Sequence, residues 1–194
     1  ILQNNLNRKQ NRVRVFEIAR VFSKDSDGLF VQNERIGGLW YGVAMPEQWG
    51  EKTRNADFYD IKADVENLLK NKAVEFVKTE HPALHPGRAA NIVSDGQVIG
   101  FVGELHPKWL QKYDLSQAPL VFEIDMAAVL EREKTRYQAV SKFQPVRRDL
   151  AFVMPETMTH DDLLAALNGA ANKLVQEISV FDVYRGTGLP EGMK

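Results

Sequence analysis

Apolar and polar positions interleave from the start of the first ordered stretch. Val13, Val15, Ile18 and Val21, with Phe16 and Phe22, alternate imperfectly with Arg12, Arg14, Glu17 and Arg20. This pattern predicts a largely buried strand. Asp25, Ser26, Asp27 and Gly28 form a turn signal, which predicts a hairpin connection to a second strand over residues 35–44. Gly37, Gly38 and Gly42 in that run suggest a bulge or a close backbone approach. Residues 45–53 read as loop. Phe58, Ile61, Val65, Leu68 and Leu69 then recur at helical spacing behind a cap formed by Asp57 and Asp60, and the helix should end near Asn71. A short strand is predicted at 74–78, and an irregular stretch with two prolines at 81–87. Residues 89–93 and 98–105 flank Ser94, Asp95 and Gly96 and make the clearest hairpin in the chain. A short helix at 107–113, a strand at 120–124 and a helix at 126–132 complete this region. Antiparallel strands with a few helices beside them make the fold class α+β, not an alternating doubly wound sheet.

The last quarter has a different rhythm. Residues 143–153 predict a basic entry, through Arg147 and Arg148, into a buried strand. Thr159 and Asp162 have capping-box spacing. Leu163, Leu164, Leu167, Ala170, Ala171, Leu174, Val175 and Ile178 give a 3.6-residue stripe, so a helix is expected over about 160–176. A second strand is expected at 178–184. Strand, helix and strand cannot close a core alone, because such a unit needs further strands and a second layer. The expectation is therefore a piece of a larger protein, with a helix cut in mid-pattern at Ile1 and a fold left incomplete at Lys194. The best domain boundary is the polar stretch 132–142, which lacks a period. Between Glu131 and Asp149 six basic residues face three acidic ones. The expected division is a module at 1–131, a linker at 132–140 and a partial domain at 141–194.

Composition alters little. The chain has 194 residues, 44 % apolar and 26 % charged, with a net charge of -1. These values are ordinary for a globular protein and give no global pull towards nucleic acid or membrane. There are no cysteines, which removes disulfides, thiolate metal sites and a Cys nucleophile. A cytoplasmic setting is expected. No run of about 18 apolar residues predicts a membrane span, and no DNA partner is expected.

Candidate chemistry is sparse. His81, His85, His106 and Glu104 form the one metal-like constellation, but Pro82 and Pro86 disfavour the helix that would align the histidines. Loop packing is the expectation, and no metal is assigned. Gly186 and Gly188 lack the third glycine and the helix of a dinucleotide site. The serines sit in no nucleophile-elbow context, and the carboxylates are scattered. Binding is better motivated. Lys142, Arg147 and Arg148 flank Phe143, and Tyr184 and Arg185 end the second predicted strand. Basic residues beside aromatics on a small sheet suit single-stranded RNA, by phosphate pairing and base stacking. The alternative is a core Phe143 with ordinary surface arginines, and the local pattern leaves both open.

Longer motifs carry a resemblance. Asn5 to Ile18 (Asn5-Leu-Asn-Arg8, Arg12-Val-Arg14, Glu17-Ile), Asp57 to Asp64, His85-Pro-Gly-Arg88 and Gly103-Glu-Leu-His106-Pro resemble the β subunit of bacterial phenylalanine-tRNA ligase. Phe143-x-Pro145-x-x-Arg148-Asp149 and Phe181-Asp-Val-Tyr184-x-Gly186 resemble the start of that subunit's C-terminal anticodon-binding domain. The resemblance implies a non-catalytic class II synthetase-like module followed by the first half of a ferredoxin-like domain. It implies no catalytic residue: where catalytic class II synthetases carry an ATP-binding arginine, Phe22 is followed by Ser23, Lys24 and Asp25. Lys24 cannot reproduce the bidentate fork of Arg. The implied partners are the catalytic α subunit and tRNA-Phe. The implied α-subunit contacts are Leu2, Asn5, Leu6, Arg8, His85, Arg88 and His106, and ATP and magnesium would belong to the parent complex. Two rival readings remain: a stand-alone class II ligase-like domain with a degenerate ATP site, and a purely protein-binding module.

Overall fold

The computed structural model describes residues 1–70, 72–131, 137, 139–140 and 142–194. They form two compact units, Ile1–Tyr137 and Gln138–Lys194. Most of the expected linker at 132–140 lies outside the described residues, as do Arg132 and the expected helix end at Asn71.

The first unit is built on one six-stranded antiparallel sheet in the order β1-β2-β6-β5-β4-β3. Its elements are α1 (Leu2–Asn7), β1 (Val13–Lys24), β2 (Phe30–Tyr41), α2 (Phe58–Leu68), β3 (Glu75–Lys78), β4 (Leu84–Ser94), β5 (Gln97–Leu105), α3 (Pro107–Lys112), β6 (Leu120–Asp125) and α4 (Met126–Leu130). Local chemistry sets the turns. Asp25 Oδ1 accepts from the backbone N–H of Asp27 and Leu29, closing the β1-β2 hairpin. Asp95 and Gly96 take φ of 50° and 75°, the left-handed pair that a two-residue hairpin needs.

One face of the sheet carries the core. Ile61, Val65 and Leu69, from α2 and its C-terminal cap, pack against Ile36, Trp40, Ile92, Val102, Leu120, Phe122 and Ile124. Burial alternates along β6, so Leu120, Phe122 and Ile124 point to α2. On β6's other face, Arg35 reaches Glu123 at 2.9 Å and Asp125 at 3.2 Å.

Several expectations are corrected. The β1 strand is longer than predicted and mostly exposed: only Val13 is buried, and Phe16 and Phe22 keep 71 % and 67 % of their surface. The reason is topological. Strand β1 is the outermost in the sheet, and because β6 pairs with β2 only over residues 35–40 the Phe22 end of the hairpin also projects beyond the next strand. Strand β2 starts at Phe30, not Arg35, because the Asp25 turn is tight and pairing resumes at once. The glycines mark close approach but no bulge, since β1 and β2 pair in unbroken register. A Cβ at Gly38 would lie 2.2 Å from the Phe122 ring, and Gly42 sits at φ +95° against the Asn11 carbonyl. Part of the stretch expected to be irregular, 84–87, joins β4, where a register shift between Leu84 and Ala89 accommodates Pro86. Helix α4 is shorter than expected, ending at Leu130.

Helix α2 starts as its sequence predicts. Asp57 accepts from Tyr59 N at 2.8 Å and Asp60 N at 3.3 Å, and Asp60 accepts from Asp57 N at 2.8 Å. Arg54 forks onto Asp60 at 2.6 and 2.7 Å. The Arg54 hydrogen bond is the main reason that the Asp60 carboxyl is held below its ordinary range, with help from the Asp57 backbone and opposition from burial. A depressed folded-state value adds stability above the unfolded value of about 3.9 and loses it as pH falls through the folded one. Asp60→Asn is therefore expected to lower the urea midpoint near pH 7, with a deficit that shrinks as pH falls below the unfolded value of about 3.9. A midpoint deficit that stays constant with pH would contradict this.

Among its described residues the second unit contains one helix, α5 (His160–Ala170), with the expected Thr159-Asp162 capping box. The helix stops well short of 176. Ala171 turns to ψ 143°, and Asn172 Oδ1 closes the next turn by accepting from Leu174 N at 2.8 Å. The two buried strands expected at 143–153 and 178–184 do not form. Leu150, Phe152, Val153 and Phe181 are exposed, and no ladder partner for either segment exists among the described residues. A strand is defined by its neighbour, and these two have none. No described residue of this unit is buried. The last residues meet the segment before α5 through a bridge between Pro155 and Met193, and Lys194 Nζ donates to the carbonyls of Glu156 and Met158. No described helix is long and apolar enough to cross a membrane.

Candidate RNA and subunit interfaces

The six RNA candidates all lie in the second unit, and all are exposed. Arg147 lies over the Phe181 ring at 5.6 Å, while its Nε donates to Asp149 at 3.1 Å. This stacked pair joins the two segments that were expected to be strands. Arg148 donates to the Arg147 carbonyl, and Phe143 lies five positions before it in the chain. Tyr184 and Arg185 face other tasks. Tyr184 OH donates to Thr187 O at 3.2 Å, and Arg185 grips Glu156 at 2.9 and 3.4 Å. That hydrogen bond raises the Arg185 value and lowers that of Glu156. Arg185 and Arg147 each pair with a carboxylate, but the Glu156 partner of Arg185 is distant in sequence and closes the unit, whereas Arg147 pairs locally with Asp149 and also rests on an aromatic platform.

Sequence reasoning missed Phe181 as the ring beneath Arg147, and Glu156 as the partner of Arg185. Both are pairings at long separation, 34 positions for the first by number and 29 for the second, and no local period encodes them. The one available signal was Phe181 immediately before Asp182-Val183-Tyr184, which the strand expectation placed inside a core.

The subunit-interface candidates have structural duties that the sequence did not reveal. Leu2, Asn5 and Leu6 of α1 are half-buried, and Asn5 Nδ2 donates back to Ile1 O at 3.1 Å. Arg8 is exposed at the helix's C-terminal cap. His85 Nδ1 accepts from Gly87 N at 3.0 Å and His106 Nδ1 accepts from Lys108 N at 3.1 Å, the latter capping α3. His81 does the same for Ala83 N at 3.3 Å and stacks on Phe101 at 4.6 Å. The histidines that looked like metal ligands therefore hold turns through Nδ1. Among the described residues no three His, Asp or Glu side chains gather in a metal-binding group. Arg88 Nη1 donates to both oxygens of the buried Glu104, at 3.1 and 2.8 Å.

The sheet face opposite α2 carries a hollow of about 180 Å³, lined by Leu2, Leu39, Leu105, Leu115, Pro119 and Val121 together with Gln3 and Tyr113. It brings helix α1 to the ends of β5 and β6, close in sequence to His106. The lining is almost wholly apolar, and none of these residues carries a formal charge. Such a surface can take up an apolar side chain, and it offers nothing to a phosphate. Lys24, the candidate point charge, lies at the hairpin tip over the Phe30 ring at 5.2 Å.

Comparison with known proteins completes the picture. Residues 1–126 match the family model described as the phenylalanyl tRNA synthetase beta chain CLM domain, and residues 141–194 match the ferredoxin-fold anticodon binding domain. Over its full length the chain is 92 % identical to the phenylalanine-tRNA ligase beta subunit of Neisseria gonorrhoeae. Identity to the same-named subunit is 91 % in Neisseria meningitidis serogroup B and 50 % in Chromobacterium violaceum, again over 100 % of this chain. In each case the chain spans 25 % of the relative's length.

Proposed function

The chain belongs to the phenylalanine-tRNA ligase β-subunit family, and from that premise we propose that it is a non-catalytic part of such a subunit. It scaffolds the catalytic α subunit and helps to bind and position tRNA-Phe for ATP-dependent phenylalanylation. The contribution is positional and not chemical, since holding reactants in register itself lowers a barrier. ATP and magnesium serve the parent complex, in the cytoplasm. The observation that carries this reading is the match of both units to the domains of one subunit at 92 % identity.

The geometry supports each part. The antiparallel sheet with α2 on one face suits a class II synthetase-like module. The hollow on the other face is smaller than the roughly 300–1,000 Å³ typical of ligand pockets, and it lacks the cations a nucleotide needs. It suits an apolar anchor from the α subunit, with the half-buried residues of α1 beside it. No described residue of the second unit is buried, in keeping with half of a ferredoxin-like domain. Arg147 on Phe181 is its best candidate for phosphate pairing beside a stacking base.

Fluorescence titration with the anticodon stem-loop across a salt series tests the RNA role. Binding should weaken as salt rises, with a log-log slope of about -0.7 per phosphate contact on a single strand. Arg147→Ala should reduce that slope, and Arg185→Ala should alter it less. Absence of binding at every salt, in this chain and in the complete subunit, would contradict the role and favour a purely protein-binding module. Thermal denaturation with ATP tests the absence of a nucleotide site. The melting temperature should not move; a rise that Lys24→Ala abolishes would favour the degenerate ligase instead.

A further inference from the structure

Helix α3 carries a cluster with no role in the core or the turns. Trp109 and Tyr113, one turn apart, stack at 6.2 Å with their rings 22° from parallel. Two ammoniums converge on this stack. Lys108 Nζ lies 5.2 Å from the centre of the Trp109 ring and Lys112 Nζ 5.0 Å, and Lys112 is also 5.7 Å from Tyr113. The ammoniums are therefore no more than about 10 Å apart, close to the Debye length of about 8 Å at physiological salt. An approaching anion feels both at once.

Neither lysine is in an ion pair among the described residues, whereas Arg14, Arg54, Lys62 and Lys72 around α2 each hold a carboxylate. Asp114, the carboxylate nearest in sequence, lies beyond the helix at φ 49° and pairs with neither lysine. A ring attracts a cation through its quadrupole but carries no net charge. Each ammonium is thus positioned without being neutralised. Both lysines are exposed, and Tyr113 keeps 51 % of its surface. Whichever surface covers this face must bring negative charge, because burying an unpaired ammonium is costly. An acidic protein segment would satisfy the lysines and leave the Tyr113 ring unused. RNA supplies phosphates and stacking bases together.

We propose that Lys108 and Lys112 bind backbone phosphates of tRNA, with Tyr113 as a stacking platform beside them. The first unit then meets a second stretch of the RNA, outside the anticodon stem-loop. This rests on the tRNA-binding reading and goes beyond it, since the contacts of that reading all lie in the second unit. Neither lysine lines the apolar hollow, and of this cluster only Tyr113 does.

Fluorescence titration of the chain with whole tRNA-Phe, and separately with its anticodon stem-loop, tests the proposal, with circular dichroism to confirm folding. The salt slope should be steeper for the whole tRNA than for the stem-loop. Lys108→Gln together with Lys112→Gln should cut the whole-tRNA slope by about 1.4–1.8, at about 0.7–0.9 per lost contact. The stem-loop slope should not change. Lys108→Arg with Lys112→Arg should keep the parent slope, because the charge remains. Tyr113→Leu should weaken binding about fivefold or more and leave the slope unchanged.

Equal parent slopes for the two RNAs, or a glutamine pair with the parent's slope on whole tRNA, overturns the proposal. If the stem-loop still binds, the anticodon role survives that result. Whole-tRNA binding that the glutamine pair reduces, with no binding of the stem-loop, supports the lysine site and removes the anticodon role instead. Failure of both RNAs to bind at any salt overturns both. A glutamine pair that spares RNA binding but releases a captured α subunit also overturns the proposal and gives this face to an acidic protein surface.

Discussion

Ile124→Ala is expected to lower the stability of the first unit by about 4 kcal/mol, within the 2–5 kcal/mol range for emptying a well-packed aliphatic site. Ile124 is fully buried. It pairs across β6 with Ile36 on one side and with Gly100 on the other, so its backbone is fixed from both edges. At Gly100 a Cβ would come within 2.9 Å of the Ile124 Cα, and the strands can hardly close further to fill a void. The same truncation at an exposed position tests the contrast. Ile18→Ala should change the unfolding free energy of the monomer by no more than about 0.5 kcal/mol, because nearly half of that side chain is already in water. Urea unfolding followed by tryptophan fluorescence measures both. A cost below about 1 kcal/mol at Ile124 would mean that the core is not built around β6.

Arg88→Met is expected to cost about 2 kcal/mol, and Glu104→Gln should recover much of it in the double variant. Removing one partner of a buried ion pair strands the other charge and costs about 3–5 kcal/mol when both are enclosed. Here Glu104 is buried, but the Arg88 side chain keeps 59 % of its surface, so water moderates the loss. The double-variant cycle isolates the term. If Arg88→Met costs as much with Gln at 104 as with Glu, Arg88 acts by packing alone. That outcome would also reopen Arg88 as a free contact for the α subunit, since its duty to Glu104 would be slight.

The features legible in the sequence were those fixed by neighbours in the chain. The capping boxes at Asp57 and Thr159, the Asp25 turn and the Asp95-Gly96 hairpin each depend on a few consecutive residues, and each forms where expected. Strand burial was not legible. Phe16 and Phe22 look like core residues in a period-two pattern, but burial depends on whether β6 and α2 extend over them, and they do not. The segments at 143–153 and 178–184 failed for the same reason, since backbone that lacks a neighbouring strand stays unpaired however apolar its side chains. Among the candidate sites, the pattern located the basic residues. It could not tell that Arg185 is held by Glu156 while Arg147 rests on Phe181. Nor could it show that His85 and His106 spend Nδ1 on backbone N–H groups.

These duties narrow the interface. With His85 and His106 holding turns and Arg88 on Glu104, the apolar hollow beside α1 becomes the strongest candidate for the α-subunit contact. The direct measurement is capture of this chain by a tagged catalytic α subunit after co-expression, with bound chain quantified against α. The account predicts that the folded chain is retained with α, and that Leu115→Lys at the hollow releases it while leaving its circular dichroism unchanged. A folded parent chain that passes through unbound, or one retained equally well with lysine at position 115, would contradict it.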